Sequence, residues 1–198
     1  MAVSPADVTA VLVTRGDQPE MMAQILDSLV FEDVVMWDNS KRHHDFKTSG
    51  RYMAITHSDG VVYFQDDDVI VPPETQRRLC EAYMPGVVIA NYGHGEDDGG
   101  YGDLPLVGAG AVMDAALPLD ATERYRQYWP LNEDFNYYCD FAIGVLYEDF
   151  RHLYLPFHIE LEVARHPSRL CNQPWAAEMK ARVTNQARAV RDWSIVAA

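Results

Sequence analysis

Three consecutive carboxylates, Asp66, Asp67 and Asp68, follow directly on the apolar run Val61-Val62-Tyr63-Phe64-Gln65 and precede Val69-Ile70-Val71 and the helix-start pair Pro72-Pro73. A strand that ends in acids holds oxygen ligands rigidly at a sheet edge, which suits a hard divalent cation such as Mg²⁺ or Mn²⁺. Side chains alternate along an extended chain, so Asp66 and Asp68 are expected to face one site and Asp67 to face away. The competing reading is a solvated turn leading into a helix whose first turn carries Glu74, where the helix dipole favours negative charge.

The elements that must position these acids follow from hydrophobic patterning. Val8 to Thr14, Val34 to Trp37, Tyr52 to Thr56, Val61 to Phe64 and Val87 to Asn91 read as strands, with helices from Pro19 to Leu29 and from Pro73 to Tyr83. Strands alternating with helices predict an α/β fold with a mostly parallel sheet flanked by helices. In the second half, Tyr92 to Pro105 is rich in glycine and acid and reads as a loop able to close over a ligand. Leu106 to Met113 reads as a strand punctured by Gly108 and Gly110, where a ligand can approach the backbone closely. Asp120 is expected to cap a helix through Tyr128. A further helix spans Glu133 to Tyr147, with Glu133, Tyr137, Asp140 and Gly144 on one face. Leu153 to Phe157 reads as the last strand, and a helix from about Trp175 to Val190 ends the pattern.

Bulk properties narrow the partners. The 198 residues suit one domain, and an apolar fraction of 48% supports a substantial core. Sixteen Lys and Arg against 30 Asp and Glu give a formal charge of −14, which repels phosphate backbones and anionic lipid, so a nucleic-acid partner is disfavoured. Cys80, Cys139 and Cys171 lack CxxC spacing and fit a reduced, cytoplasmic protein, and no segment approaches the length of a membrane span.

In open α/β sheets the ligand crevice lies beyond the carboxyl ends of the strands. Three such ends carry polar groups: Thr14-Arg15-Gly16, Asp38-Asn39-Ser40 and the triple Asp. With VLVTRGDQPE, VVMWDNS, VVYFQDDDVIVPP and WPLNEDFNYYCDF in this order, the chain resembles GT-A fold nucleotide-sugar glycosyltransferases, most of all family 2, over about Val8 to Pro156. It departs from that pattern in a short segment between Ser40 and Arg51, in Cys139 at a position where the family has Glu, and in lacking a Q-x-x-R-W motif.

The resemblance implies a Rossmann-like GT-A domain with a nucleotide-binding half over about 1–91 and an acceptor and catalytic half over about 92–198. It implies a divalent metal at Asp66 and Asp68, with His166 as a third candidate ligand, and a nucleotide-sugar donor, UDP-linked by preference. Thr14, Arg15, Asp38, Asn39, Arg51 and Asp67 fall to the nucleotide, and Gly108 and Gly110 to the donor sugar. Asp140 is the expected general base, with Glu133 as second choice. The acceptor, whether glycan, metabolite, protein or polymer, is left open. Each assignment has a plainer alternative: an Asx turn at Asp38, a solvated helix face at Asp140 and Glu133, a surface role for His166, and a strand bulge at the glycines. Two other functions compete. A nucleotidyltransferase would place a glycine-rich basic loop after the first strand, where Val13-Thr14-Arg15-Gly16-Asp17 has one glycine and no lysine. A non-catalytic nucleotide-sugar-binding module is the other.

Overall fold

The computed structural model describes residues 2–57, 59–93, 104–159 and 172–197. Among them the strands are β1 (Val8–Thr14), β2 (Asp33–Asp38), β3 (Val61–Gln65), β4 (Val69–Ile70), β5 (Val88–Gly93), β6 (Pro105–Asp114), β7 (Phe150–His152) and β8 (His158–Ile159). The helices are α1 (Pro19–Ser28), α2 (Gly50–Met53), α3 (Pro73–Ala82), α4 (Ala116–Arg126), α5 (Glu133–Leu146) and α6 (Ala176–Ala197). Six strands form the central sheet in the order β2-β1-β3-β6-β5-β7, and β4 pairs with β8 in a separate ribbon. β1 runs parallel to β2 and β3, β5 runs parallel to β7, and β6 is antiparallel to both its neighbours. The protein is therefore α/β, with a mostly parallel sheet flanked by helices.

Alternation along the strands sorts the core into two layers. Val11, Val62, Phe64, Val88, Ala90, Ala111 and Met113 face a cluster completed by α4, α5 and α6. Tyr63, Ile89 and Val112 face Leu79 and Cys80 of α3, and Leu12 packs on Met21, Met22 and Ile25 of α1. The chain leaves β1 to build β2 on one side and then crosses back to build β3 on the other. This reversal of direction opens a crevice at the carboxyl ends of β1 and β3.

Several elements differ from their sequence patterns for identifiable reasons. Tyr52 to Thr56 is not a strand: both edges of β1 are already taken, and Gly50, Arg51 and Tyr52 turn inward together as α2. The last sheet strand is Phe150–His152, earlier than Leu153 to Phe157, because Tyr154 adopts φ 53° and the side chain of Asn91 pairs with both the N–H and the C=O of Leu155 instead. Helix α4 begins at Ala116, so Asp120 lies inside it rather than capping it. Cys80 and Cys139 are free, buried thiols; Cys171 lies outside the described residues. Among the described residues no helix is long and apolar enough to cross a membrane.

Gly110 adopts φ +100° within β6, and a Cβ there would lie 3.3 Å from both Leu79 and Val71. Gly110→Ala therefore forces an L-residue into a strained conformation in the core. It is expected to cost about 1–3 kcal/mol of unfolding free energy, measured by urea denaturation.

Candidate functional site

The carboxyl ends of β1, β2 and β3 converge with α2 and α5 on a cleft of about 620 Å³. Its walls include Thr14, Arg15, Asn39, Arg51, the three acids Asp66 to Asp68, and Asp140. The acids sit in a turn between β3 and β4, closed by the Val69 N–H donating to Asp66 O at 3.4 Å. Buried Gln65 braces it, accepting from Tyr63 Oη at 2.6 Å and donating to Val69 O at 2.6 Å. The acids are thus not extended, and strand alternation does not sort them: all three line the cleft. Asp67, 6% exposed, accepts the Arg15 N–H at 3.4 Å and so ties the acidic turn to the turn after β1.

Asp66 is held on both sides. Its Oδ1 accepts from Nη2 of Arg51, and its backbone N–H donates to Gly108 O at 2.9 Å. A Cβ at Gly108 would fall 1.9 Å from Asp66 Oδ2. Gly108 therefore makes room for this carboxylate, whereas Gly110 faces Leu79, Val71 and Tyr63 in the core; neither lines the cleft.

The turn after β2 divides its residues. Asp38 caps a 3-10 turn over Asn39–Lys41, accepting from Ser40 N at 3.0 Å and Ser40 Oγ at 2.6 Å and pairing with Lys41 Nζ at 2.8 Å. It is not among the cleft residues, in keeping with the Asx-turn alternative. Lys41 first, and then Ser40, hold its carboxyl below the usual carboxylate range against a smaller opposing effect of burial. Buried Asn39 does line the cleft, accepting from Trp37 Nε1 at 3.0 Å and Phe46 N at 3.1 Å while donating to Lys47 O at 3.0 Å. This amide fixes the following loop, which adds Asp45, Lys47 and Thr48 to the wall. Burial disfavours the Lys47 charge, but the Asp45 carboxylate outweighs it and raises the ammonium above its ordinary value.

Helix α5 contributes Asp140 through a distortion. Tyr138 is non-helical at φ −128° and ψ 30°, and Thr48 Oγ1 lies 3.1 Å from Asn136 O and 3.0 Å from Tyr137 O to serve carbonyls beside the kink. Glu133, on the far side of the kink, is exposed and does not line the cleft, while Asp140 does. Asp140 Oδ1 accepts from Tyr52 Oη at 2.5 Å, and its Oδ2 lies 3.5 Å from Arg51 Nη1. Burial, then Asp140, pushes the Tyr52 hydroxyl well up, keeping it a donor. The Cys139 thiol is likewise raised by burial and then by Asp140, which makes it a poor nucleophile.

Tyr137, Tyr138, Phe141 and Trp175 form an aromatic wall, with the Tyr137 and Trp175 rings in edge contact at 4.9 Å. Sequence patterning missed Trp175, Tyr52 and the 45–48 loop as site residues; a polar loop directly after a strand end was the available signal. His166 and most of the glycine-rich loop, residues 94–103, lie outside the described residues. The β4–β8 pairing sets His158 opposite Ile70, two residues past the acids.

Hard carboxylate oxygens facing one cleft suit Mg²⁺ or Mn²⁺. Among the described residues no three His, Cys, Asp or Glu side chains assemble as a ready-made cage. A cation held by one or two carboxylates plus phosphate oxygens and water needs none. No protein-family model matches this chain, and neither does any curated protein sequence.

Asp38 supplies a pH test. Its folded pKa is depressed, so its contribution is present above the unfolded value of about 3.9 and is lost as pH falls through the lower folded value. The stability difference between wild type and Asp38→Asn, from urea denaturation, is expected to be constant from about pH 5 upward and to shrink as the pH falls below about 4.

Proposed function

We propose that this protein is a metal-dependent glycosyltransferase that moves a sugar from a nucleoside-diphosphate sugar, UDP-linked by preference, to a hydroxyl acceptor. The observation that carries this reading is the single cleft at the carboxyl ends of β1 and β3, which gathers the acidic turn, three cationic side chains and Asp140. The motif order that resembles GT-A family 2 transferases supports it, as does the α/β sheet. On this reading residues up to about 91 bind the nucleotide and the remainder serves the acceptor.

Asp66 and Asp68 would hold the divalent cation, which when bound stabilises the charge that the leaving diphosphate gains. Thr14, Arg15 and Asn39 border the space for the nucleotide, and the amide contacts of Asn39 keep that border rigid. The aromatic wall offers ring faces to a sugar or to an acceptor, and its rings exclude water from the reacting bond. Asp140 would take the acceptor proton as the hydroxyl oxygen attacks the anomeric carbon and the bond to the diphosphate breaks. Tyr52 holds one of its oxygens; the other makes no hydrogen bond to Arg51 at 3.5 Å and is the one expected to receive the proton.

The deciding experiment is incubation with a panel of nucleotide sugars, with and without Mn²⁺, followed by mass spectrometry. Metal-dependent release of nucleoside diphosphate is expected. Pyrophosphate release from a nucleoside triphosphate would indicate a nucleotidyltransferase instead, and binding without turnover a non-catalytic module.

Two substitutions separate the ends of the reaction. Asp68→Asn should abolish the metal-dependent part of donor affinity in calorimetry, and donor affinity unchanged both in this variant and in EDTA would remove the metal assignment. Asp140→Asn should lower kcat by about 10²- to 10⁴-fold with donor affinity near wild type. Normal turnover would take Asp140 out of the mechanism.

A further inference from the structure

Arg51 is 1% exposed, yet its three nitrogens serve three different parts of the site. Nε donates to Thr48 O at 3.3 Å, Nη2 donates to Asp66 Oδ1, and Nη1 lies 3.5 Å from Asp140 Oδ2 without a hydrogen-bond partner of its own. Burial opposes the charge, but Asp140 and then Asp66 outweigh it and keep the guanidinium protonated. Asp66 is also fixed on its other side, its backbone N–H donating to Gly108 O at 2.9 Å and its second oxygen occupying the space that a Cβ at Gly108 would fill. Asp140 is steadied from the other side by Tyr52, the next residue of α2.

We propose that Arg51 is a positioning residue whose guanidinium fixes the separation of Asp66 at the donor end and Asp140 at the acceptor end, coupling the two carboxylates into one unit. The names of the two ends rest on the transferase reading; the coupling itself does not. Arginine is required because a planar fork spans two carboxylates and a carbonyl at once, whereas a lysine ammonium is a single point of charge. Its partners are also mutually dependent. With one carboxylate gone, the other still compensates the buried cation; with both gone, the cation is left uncompensated inside the protein.

Melting temperatures of Asp66→Asn, Asp140→Asn and the double variant, each made with Arg51 and with Arg51→Met, test the coupling. With Arg51 present the double variant is expected to lose more than the sum of the two single losses. With Met at 51 the losses should add, because the shared partner has gone. Additive losses in both backgrounds would overturn the proposal. If Arg51→Met does not fold, Arg51→Lys decides the matter. It should largely recover the melting temperature yet lower kcat at least about tenfold, because charge is restored but geometry is not. A lysine that restores both stability and kcat would show a merely structural charge and sink the idea. Greater-than-additive thermal losses in a chain that turns over no nucleotide sugar would uphold the coupling and remove the transferase reading. Turnover with strictly additive losses would do the reverse.

Discussion

A guanidinium withdrawn from water loses its hydration, an effective penalty of several kcal/mol, and regains it only through close opposite charge and well-placed hydrogen bonds. Arg51 is in this position at the floor of the cleft, and much of the surrounding arrangement answers to it. Asp66 and Asp140 come from opposite ends of the site, one after β3 and the other on α5, and both turn toward the same cation. Helix α2, which overlaps the start of the strand expected over Tyr52 to Thr56, turns Arg51 and Tyr52 inward together, whereas an extended chain would send adjacent side chains to opposite faces. Across the whole cleft, five carboxylates stand against Arg15, Lys47 and Arg51, so its lining keeps a net negative charge of two even with Arg51 in place. That surplus is what a divalent cation would neutralise.

The loops around this charge are rigid because their polar atoms are used twice over. Asn39 joins Trp37, Phe46 and Lys47 through one amide. Thr48 receives the Arg51 Nε–H on its carbonyl and presents its hydroxyl to the carbonyls at the kink in α5. Ser49 Oγ reaches Asn136 Oδ1 at 2.7 Å. The loop after β2 and the helix that carries Asp140 are therefore one hydrogen-bonded body. The distortion at Tyr138 is part of that body, since the Thr48 hydroxyl reaches the two carbonyls just before it.

The sheet and most of its helices were legible because their signals are local. Val8 to Thr14 and Val61 to Gln65 bury alternate side chains against opposite layers, and Pro19 and Pro73 begin helices as the proline rule requires. The strand-end rule then pointed to Thr14, Arg15, Asn39 and the acids, which do share one cleft. What could not be read depends on contacts between distant segments. That Asp67 turns inward follows from its bond to Arg15 N, fifty-two positions away, and from a turn braced by Gln65. That Glu133 leaves the face shared with Asp140 follows from the kink at Tyr138, which a regular helical repeat does not contain. Gly108 looked like space for a ligand, yet the space is filled by Asp66, a neighbour on an adjacent strand end.

The two ends of the cleft differ in kind, and this bears on what order of groups a ligand must have. Near β1 and β3 the walls are carboxylates and short polar side chains on turns fixed by backbone contacts, a surface suited to a cation and the oxygens it carries. Near α5 and the start of α6 the walls are Tyr137, Phe141 and Trp175, with the Lys47 ammonium 5.3 Å from the Tyr137 ring centre. Ring faces bind other rings or the C–H faces of sugars and gain little from phosphate. The cleft would thus suit a ligand with an anionic portion by the acids, bridged to them by a cation, and a ring portion by Trp175. With an overall charge of −14, an anionic ligand approaching alone would meet repulsion from the whole molecule before reaching Arg15 or Lys47, and a cation carried with it would offset that repulsion.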